Sequence, residues 1–158
     1  MKAVTIEQPW ASLIAAGAMK FNTRGSPIYY RGPIALHAAM AKVPPYLKKI
    51  EKEAKARLFA AKLLDGIQGD LAQLPRGAVI ATAELVRCWN ITQEKPGKVR
   101  MWQQESGEER PLPIGAEWDF GDWTHGKYAW EFANAVLLAE PVQVRGKQGL
   151  WNWEVPHD

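Results

Sequence analysis

The sequence predicts an α+β domain, and three observations carry that prediction. Apolar residues recur at helical spacing in two segments, near residues 9–17 and 44–64. Runs rich in Val, Ile, Thr and Trp return near both ends of the chain and in its middle, as strands do. At 158 residues and 47% hydrophobic content, the chain suits a single domain, 1–158, with an ample core.

Lys2 to Ile6 is a candidate strand with Val4 and Ile6 on one side. Gln8-Pro9-Trp10 then opens a short helix, since proline suits a first helical position where its missing N–H would be unpaired anyway. Trp10, Leu13, Ile14 and Ala16 form its apolar face, and Gly17 ends it. Lys20, Asn22, Thr23 and Arg24 crowd around the single apolar Phe21, before a turn at Gly25-Ser26-Pro27. Residues 34–39 form a nearly continuous apolar run, the pattern of a strand covered on both faces. A polar cluster is therefore expected between a helix end and a core strand.

Residues 44–64 read as the longest helix, started by Pro44-Pro45, striped by Leu47, Ile50, Ala54, Leu58 and Ala61, and stopped at Gly66. Its other face carries Lys48, Lys49, Lys52, Lys55, Arg57 and Lys62 against Glu51 and Glu53, a solvated face or a contact for a phosphate backbone. A turn at residues 74–77 feeds a strand over 78–89. Residues 90–115 are polar and are expected to form a long mobile excursion with a short helix near 99–105. Strands follow over 127–138 and 142–144, and a last one carries Trp151 and Trp153 on one side.

The lone cysteine, Cys88, excludes an internal disulfide or a cysteine-rich zinc site. No apolar run is long enough to span a bilayer and no signal peptide is evident, so a cytoplasmic protein without membrane contact is expected. A net charge of +3 would suit a polyanionic partner without requiring one. No glycine-rich phosphate loop or nucleophile elbow occurs, and His37, His125 and His157 are far apart, so neither metal nor cofactor is expected. His37 reads as a satisfied core histidine, and Trp130 and Trp151 as buried.

The order QPWASLI, then G-x-x-x-x-x-T-R, then YRGPI-x-x-HAA resembles the ASCH domain family, relatives of the PUA-type RNA-binding barrels. Near the other end, FGDW-x-x-GKYAWE and EPVQVRGKQGLWNW resemble the closing strands of its phage and bacterial branch. The resemblance implies a small PUA-like mixed barrel of about five or six strands with flanking helices. Family members usually read G-x-K-x-x-E-x-R where this chain has its polar cluster. Counted from Gly17, the lysine position is Met19 and the acid position Asn22, while Arg24 matches. Moved by one residue, the register makes Lys20 the amine and Thr23 its partner three residues on, the spacing of members that hydrolyse N4-acetylcytidine; we prefer this second register.

On that reading Lys20 is a base of lowered pKa, with Arg24 nearby helping to lower it, and Thr23 is the nucleophile of a metal-independent amide hydrolysis. The resemblance points to Glu117 for the carboxylate, with Glu84 in reserve. Trp10, Trp118 and Trp123 would flank the cleft and stack on a base, and Asn22 and Arg24 would bind substrate. The expected activity is removal of the acyl group from N4-acylated cytidine, in a modified nucleoside or RNA. An RNA-binding module without turnover, or a ribonuclease, is the alternative.

Overall fold

A computed structural model describes residues 1–44, 47–64 and 70–157. Among the described residues the fold is mixed α+β: one sheet system of eight strands, with three α-helices packed around it. β1 (Lys2–Ile6) lies parallel to β3 (Gly32–Ala38) and antiparallel to β8 (Leu150–Asn152). β3 continues into β4 (Ala78–Lys95), β4 into β7 (Tyr128–Gln143), and β7 into the short β2 (Phe21–Arg24). The order is therefore β2-β7-β4-β3-β1-β8, and among the described residues the two end strands do not pair with each other. A closed barrel of five or six strands is thus not what the strand pairing draws; the sheet is open and larger.

Two of the extra strands come from residues expected to be a mobile excursion. β4 runs on past residue 89 and turns through Pro96-Gly97 into β5 (Lys98–Trp102), which pairs with the two-residue β6 (Glu109–Arg110). This hairpin escaped the pattern because Ile91 and Met101, a cross-strand pair, are its fully buried apolar residues. Most of its other positions are polar, and ion pairs link Glu94 to Lys98 at 3.4 Å and to Arg100 at 2.8 Å. No helix forms near residues 99–105. Likewise, the two strands expected at 127–138 and 142–144 are one strand, β7, which stays with β4 by three shifts of register.

α1 (Trp10–Ala15) is almost entirely buried and lies against β3, β4 and β7. Its first turn is held by Gln8, fully buried, whose Oε1 accepts from the Ser12 N–H at 3.0 Å while its Nε2 donates to Ser12 Oγ and to the Pro75 carbonyl. Gly17 follows at φ +74°, a conformation that suits glycine. α2 (Lys48–Ala60) buries Ile50, Ala54 and Leu58 against the same core, while Ala61 stays half-exposed. Lys62, at φ +61°, ends it: the Lys62 and Leu63 N–H groups reach back to Phe59 O and Leu58 O. Pro45 and Gly66, expected to start and stop this helix, lie outside the described residues.

The main core fills one face of the sheet, with Val4, Leu13, Ile34, Leu36, Leu58 and Leu85 among its members. A second cluster joins Phe21, Trp89, Ile91, Met101 and Trp123 under the hairpin. The third lies on the opposite face, where Ala3, Ala35 and Val79 are covered by Trp151 of β8 and by Trp153, which follows the strand. α3 (Ala116–Phe120) is one short turn that brings residues 119–122 to the edge of a large cleft. No helix among the described residues is long and apolar enough to cross a membrane.

Candidate functional site

The C-terminal ends of β1 and β3 open into a cleft of about 1510 Å³. Its floor is Thr5, Ile6 and His37; Trp10, Leu47, Ile50 and Phe120 supply apolar wall; β2 contributes Asn22, Thr23 and Arg24; and residues 143–149, after β7, close the far end.

Arg24 is the best-defined member. Its guanidinium lies 4.5 Å above the Trp130 ring, and Nη1 donates to the Thr5 carbonyl at 3.2 Å and to Asn22 Oδ1 at 3.4 Å. Burial pushes its pKa down and the nearby Glu7 carboxylate pulls it back up, but an arginine remains charged. Nη2 and Nε have no protein acceptor among the described residues, so a ligand can take them. Trp130 is itself fixed, its Nε1 donating to the Ser26 carbonyl at 2.9 Å.

Asn22 and Arg24 share a strand parity, which explains their contact. Thr23 Oγ1 accepts from the Asp122 N–H at 2.7 Å, which ties β2 to the loop after α3. Trp10 Nε1 donates to Phe120 O at 2.8 Å, holding α3 to α1 from the other side.

Lys20 does not share this cleft. It is exposed and borders a separate small groove with Met19, Arg87 and Glu131, and the residue in the alternative amine position, Met19, is buried in the core. Glu117 does not line the cleft either. Its Oε1 accepts from the N–H groups of Lys20 at 3.0 Å and Phe21 at 2.9 Å, so its carboxylate serves the start of β2. Burial raises its pKa, against the pull of those two N–H groups. Glu84, the reserve carboxylate, is exposed and meets Asn134 Nδ2 at 3.3 Å, outside the cleft.

The tryptophans divide in the same way. Trp10 lines the cleft. Trp118 and Trp123 stack on each other, 6.2 Å apart and 10° from parallel, with Trp123 buried and Trp118 exposed; neither lines it. Cys88 is buried, and that burial raises its thiol pKa.

His37 is buried and hydrogen-bonded, as a core histidine should be, yet it also forms cleft floor. Its Nε2 lies 2.8 Å from the Val144 carbonyl, which can only accept, so Nε2 carries a hydrogen. Nδ1 faces Thr5 Oγ1 at 3.2 Å, and Trp151 packs edge-on against the ring.

Several cleft residues carried no signal at the level of single motifs: Glu7, Asp119, Asp122, Lys127 and the Arg145-Gly146-Lys147 run. Only the last could have been found, as a glycine-spaced basic turn between two strands. On α2, Lys55 and Arg57 are committed to Glu51 and Glu53 at 3.0 and 2.9 Å, the pattern of a solvated helix face, while Lys49 reaches the cleft. The side chain of Lys48 lies outside what is described. No group of three or more His, Cys, Asp or Glu residues able to hold a metal occurs among the described residues. No family model matches the chain, and no curated protein matches it.

Proposed function

We propose that this chain is a cytoplasmic RNA-binding module of the ASCH type, with PUA-like architecture, that seats a base in its cleft and does not turn it over. The observation that carries this reading is the composition of the cleft. Arg24 presents unpaired guanidinium donors beside Asn22 and Trp10, whereas the amine that hydrolysis would need, Lys20, opens on another groove. An Arg with free donors next to an aromatic wall suits recognition of a base edge or phosphate, and binding needs no group of altered pKa. The three register shifts between β4 and β7, of the kind that bend long strands, are the feature that favours the PUA-like architecture.

The test is fluorescence anisotropy with a short single-stranded RNA of mixed sequence. Binding that weakens with salt and is lost in Arg24→Ala is expected; absence of binding at low salt would refute the module.

A second reading, hydrolysis of N4-acylated cytidine, keeps one supporting observation: the Thr23 hydroxyl lines the same cleft as Arg24 and Glu7. Chromatography of N4-acetylcytidine incubated with chelator-treated protein decides it. Release of cytidine that disappears in Thr23→Ala would establish an amidohydrolase in place of a binding module.

A further inference from the structure

The two ends of the cleft differ in charge. At the β2 end each cation has an acidic neighbour: Glu7 acts on Arg24, and Asp122 lies 3.9 Å from Lys127. At the other end Arg145 and Lys147 are exposed and form no ion pair among the described residues. Positive charge is thus neutralised where a base would sit and left open where the chain leaves β7.

The loop that carries Arg145 and Lys147 is held rigidly from below. His37 Nε2 donates to the Val144 carbonyl at 2.8 Å, and Thr5 Oγ1 lies 3.1 Å from the Lys147 carbonyl. Between them Gly146 presses on the same two side chains: a Cβ there would stand 2.5 Å from His37 Cε1 and 2.7 Å from Thr5 Oγ1. In a trans peptide the N–H points opposite to the carbonyl of the same plane. With the Val144 and Lys147 carbonyls turned down onto His37 and Thr5, the N–H groups of Arg145 and Gln148 turn away from that floor. Among the described residues no N–H of residues 145–149 donates to a protein acceptor. Outward amides flanked by two unpaired cations are the recurrent means of holding an anion.

We propose that residues 145–149 form a phosphodiester seat, so that the ligand of this cleft is a strand of RNA with a phosphate on this loop and not a free nucleoside. The inference rests on the RNA-binding reading and adds the class of ligand to it. The cleft's 1510 Å³ exceeds the roughly 300–1,000 Å³ of small-molecule pockets, which leaves room for a base and the backbone beside it.

Binding of three probes to the full chain tests this: cytidine, cytidine 5′-monophosphate and the mixed-sequence single-stranded RNA, each with wild type and with the double variant Arg145→Gln, Lys147→Gln. The variant is expected to lose about tenfold in RNA affinity and to flatten the salt slope by about 1.4, two contacts at about 0.7 each for a single strand. Cytidine binding should not change. RNA affinity and slope unaltered in the variant would overturn the phosphodiester seat while leaving the RNA-binding reading intact. Cytidine monophosphate binding as tightly as the RNA would show a single-nucleotide pocket and overturn the strand. Failure of wild type to bind any of the three would overturn both readings.

Discussion

Replacing Glu117 separates a structural carboxylate from a catalytic one. Its carboxylate is met by two backbone donors at the start of β2, the Phe21 N–H in a partly buried position and the Lys20 N–H in an exposed one. In Glu117→Ala the Phe21 donor is left without a partner, at a cost of about 1–3 kcal/mol, whereas the Lys20 donor can turn to water and adds about 0.5 kcal/mol. Relief of the buried carboxylate offsets part of this, so a loss of about 2 kcal/mol is expected. For a chain of this size that is a fall in Tm of about 6 °C. The folded protein raises the Glu117 pKa, so over the interval between the ordinary carboxylate value and the raised one the folded state binds more protons than the unfolded. Its contribution is therefore greatest below that interval and declines as pH rises through it. Thermal melts of wild type and Glu117→Gln from neutral to acidic pH should show the wild type gaining ground as pH falls. A Tm change below about 2 °C in Glu117→Ala, with loss of N4-acetylcytidine turnover, would refute the structural assignment.

Arg24→Ala should weaken RNA binding by about tenfold or more, and Arg24→Lys should not restore it, because an ammonium cannot both lie flat on Trp130 and fork toward a ligand; anisotropy titrations read both. Lys20→Ala should change neither RNA affinity nor stability by more than about 0.5 kcal/mol, since the side chain is exposed and only its main chain meets Glu117; loss of N4-acetylcytidine hydrolysis in this variant would instead make Lys20 the base. Gly146→Ala should cost about 1–3 kcal/mol in thermal melts and lower RNA affinity, because the added methyl can be admitted only by lifting the loop off His37. Lys52→Gln with Lys55→Gln should leave RNA affinity unchanged, as Lys55 already faces Glu51; a loss would restore a phosphate contact to this face of α2.

β1, α1 and β3 were readable because their apolar residues are dense and locally patterned: residues 34–38 are buried on both faces, as a continuous run implies. β2 was not, since its four residues hold one large apolar side chain and the strand exists through pairing with β7, more than a hundred residues away. The hairpin of β4 and β5 hid for a related reason, its buried pair Ile91 and Met101 being diluted by charges that bridge across the strands. For the site, residue types were legible and direction was not. Lys20, Asn22, Thr23 and Arg24 were singled out together, yet Asn22, Thr23 and Arg24 on β2 line one cleft while Lys20, which precedes the strand, borders a separate groove. Glu117, expected as the catalytic carboxylate, stands close to the cluster but against the main-chain N–H groups of Lys20 and Phe21. The far wall, residues 143–149, meets His37 and Thr5 only by tertiary closure, which no local pattern encodes.

That closure has a consequence for assembly. β1 acquires its second neighbour from β8, and the amine of Met1 donates to the Trp153 carbonyl across a separation of 152 residues. Thr5, the floor residue held under the Lys147 carbonyl, is therefore translated long before the segment that roofs it. On the ribosome a nascent chain can pair β1 with β3 and dock α1, but the cleft has no far wall until residues 143–149 emerge, and β1 has no second neighbour until β8 follows. Contacts of such long range slow folding, because loop closure precedes any return from them. Any chain cut short before residue 144 would lack the carbonyl that meets His37 Nε2 and would leave His37 and Thr5 open on that side.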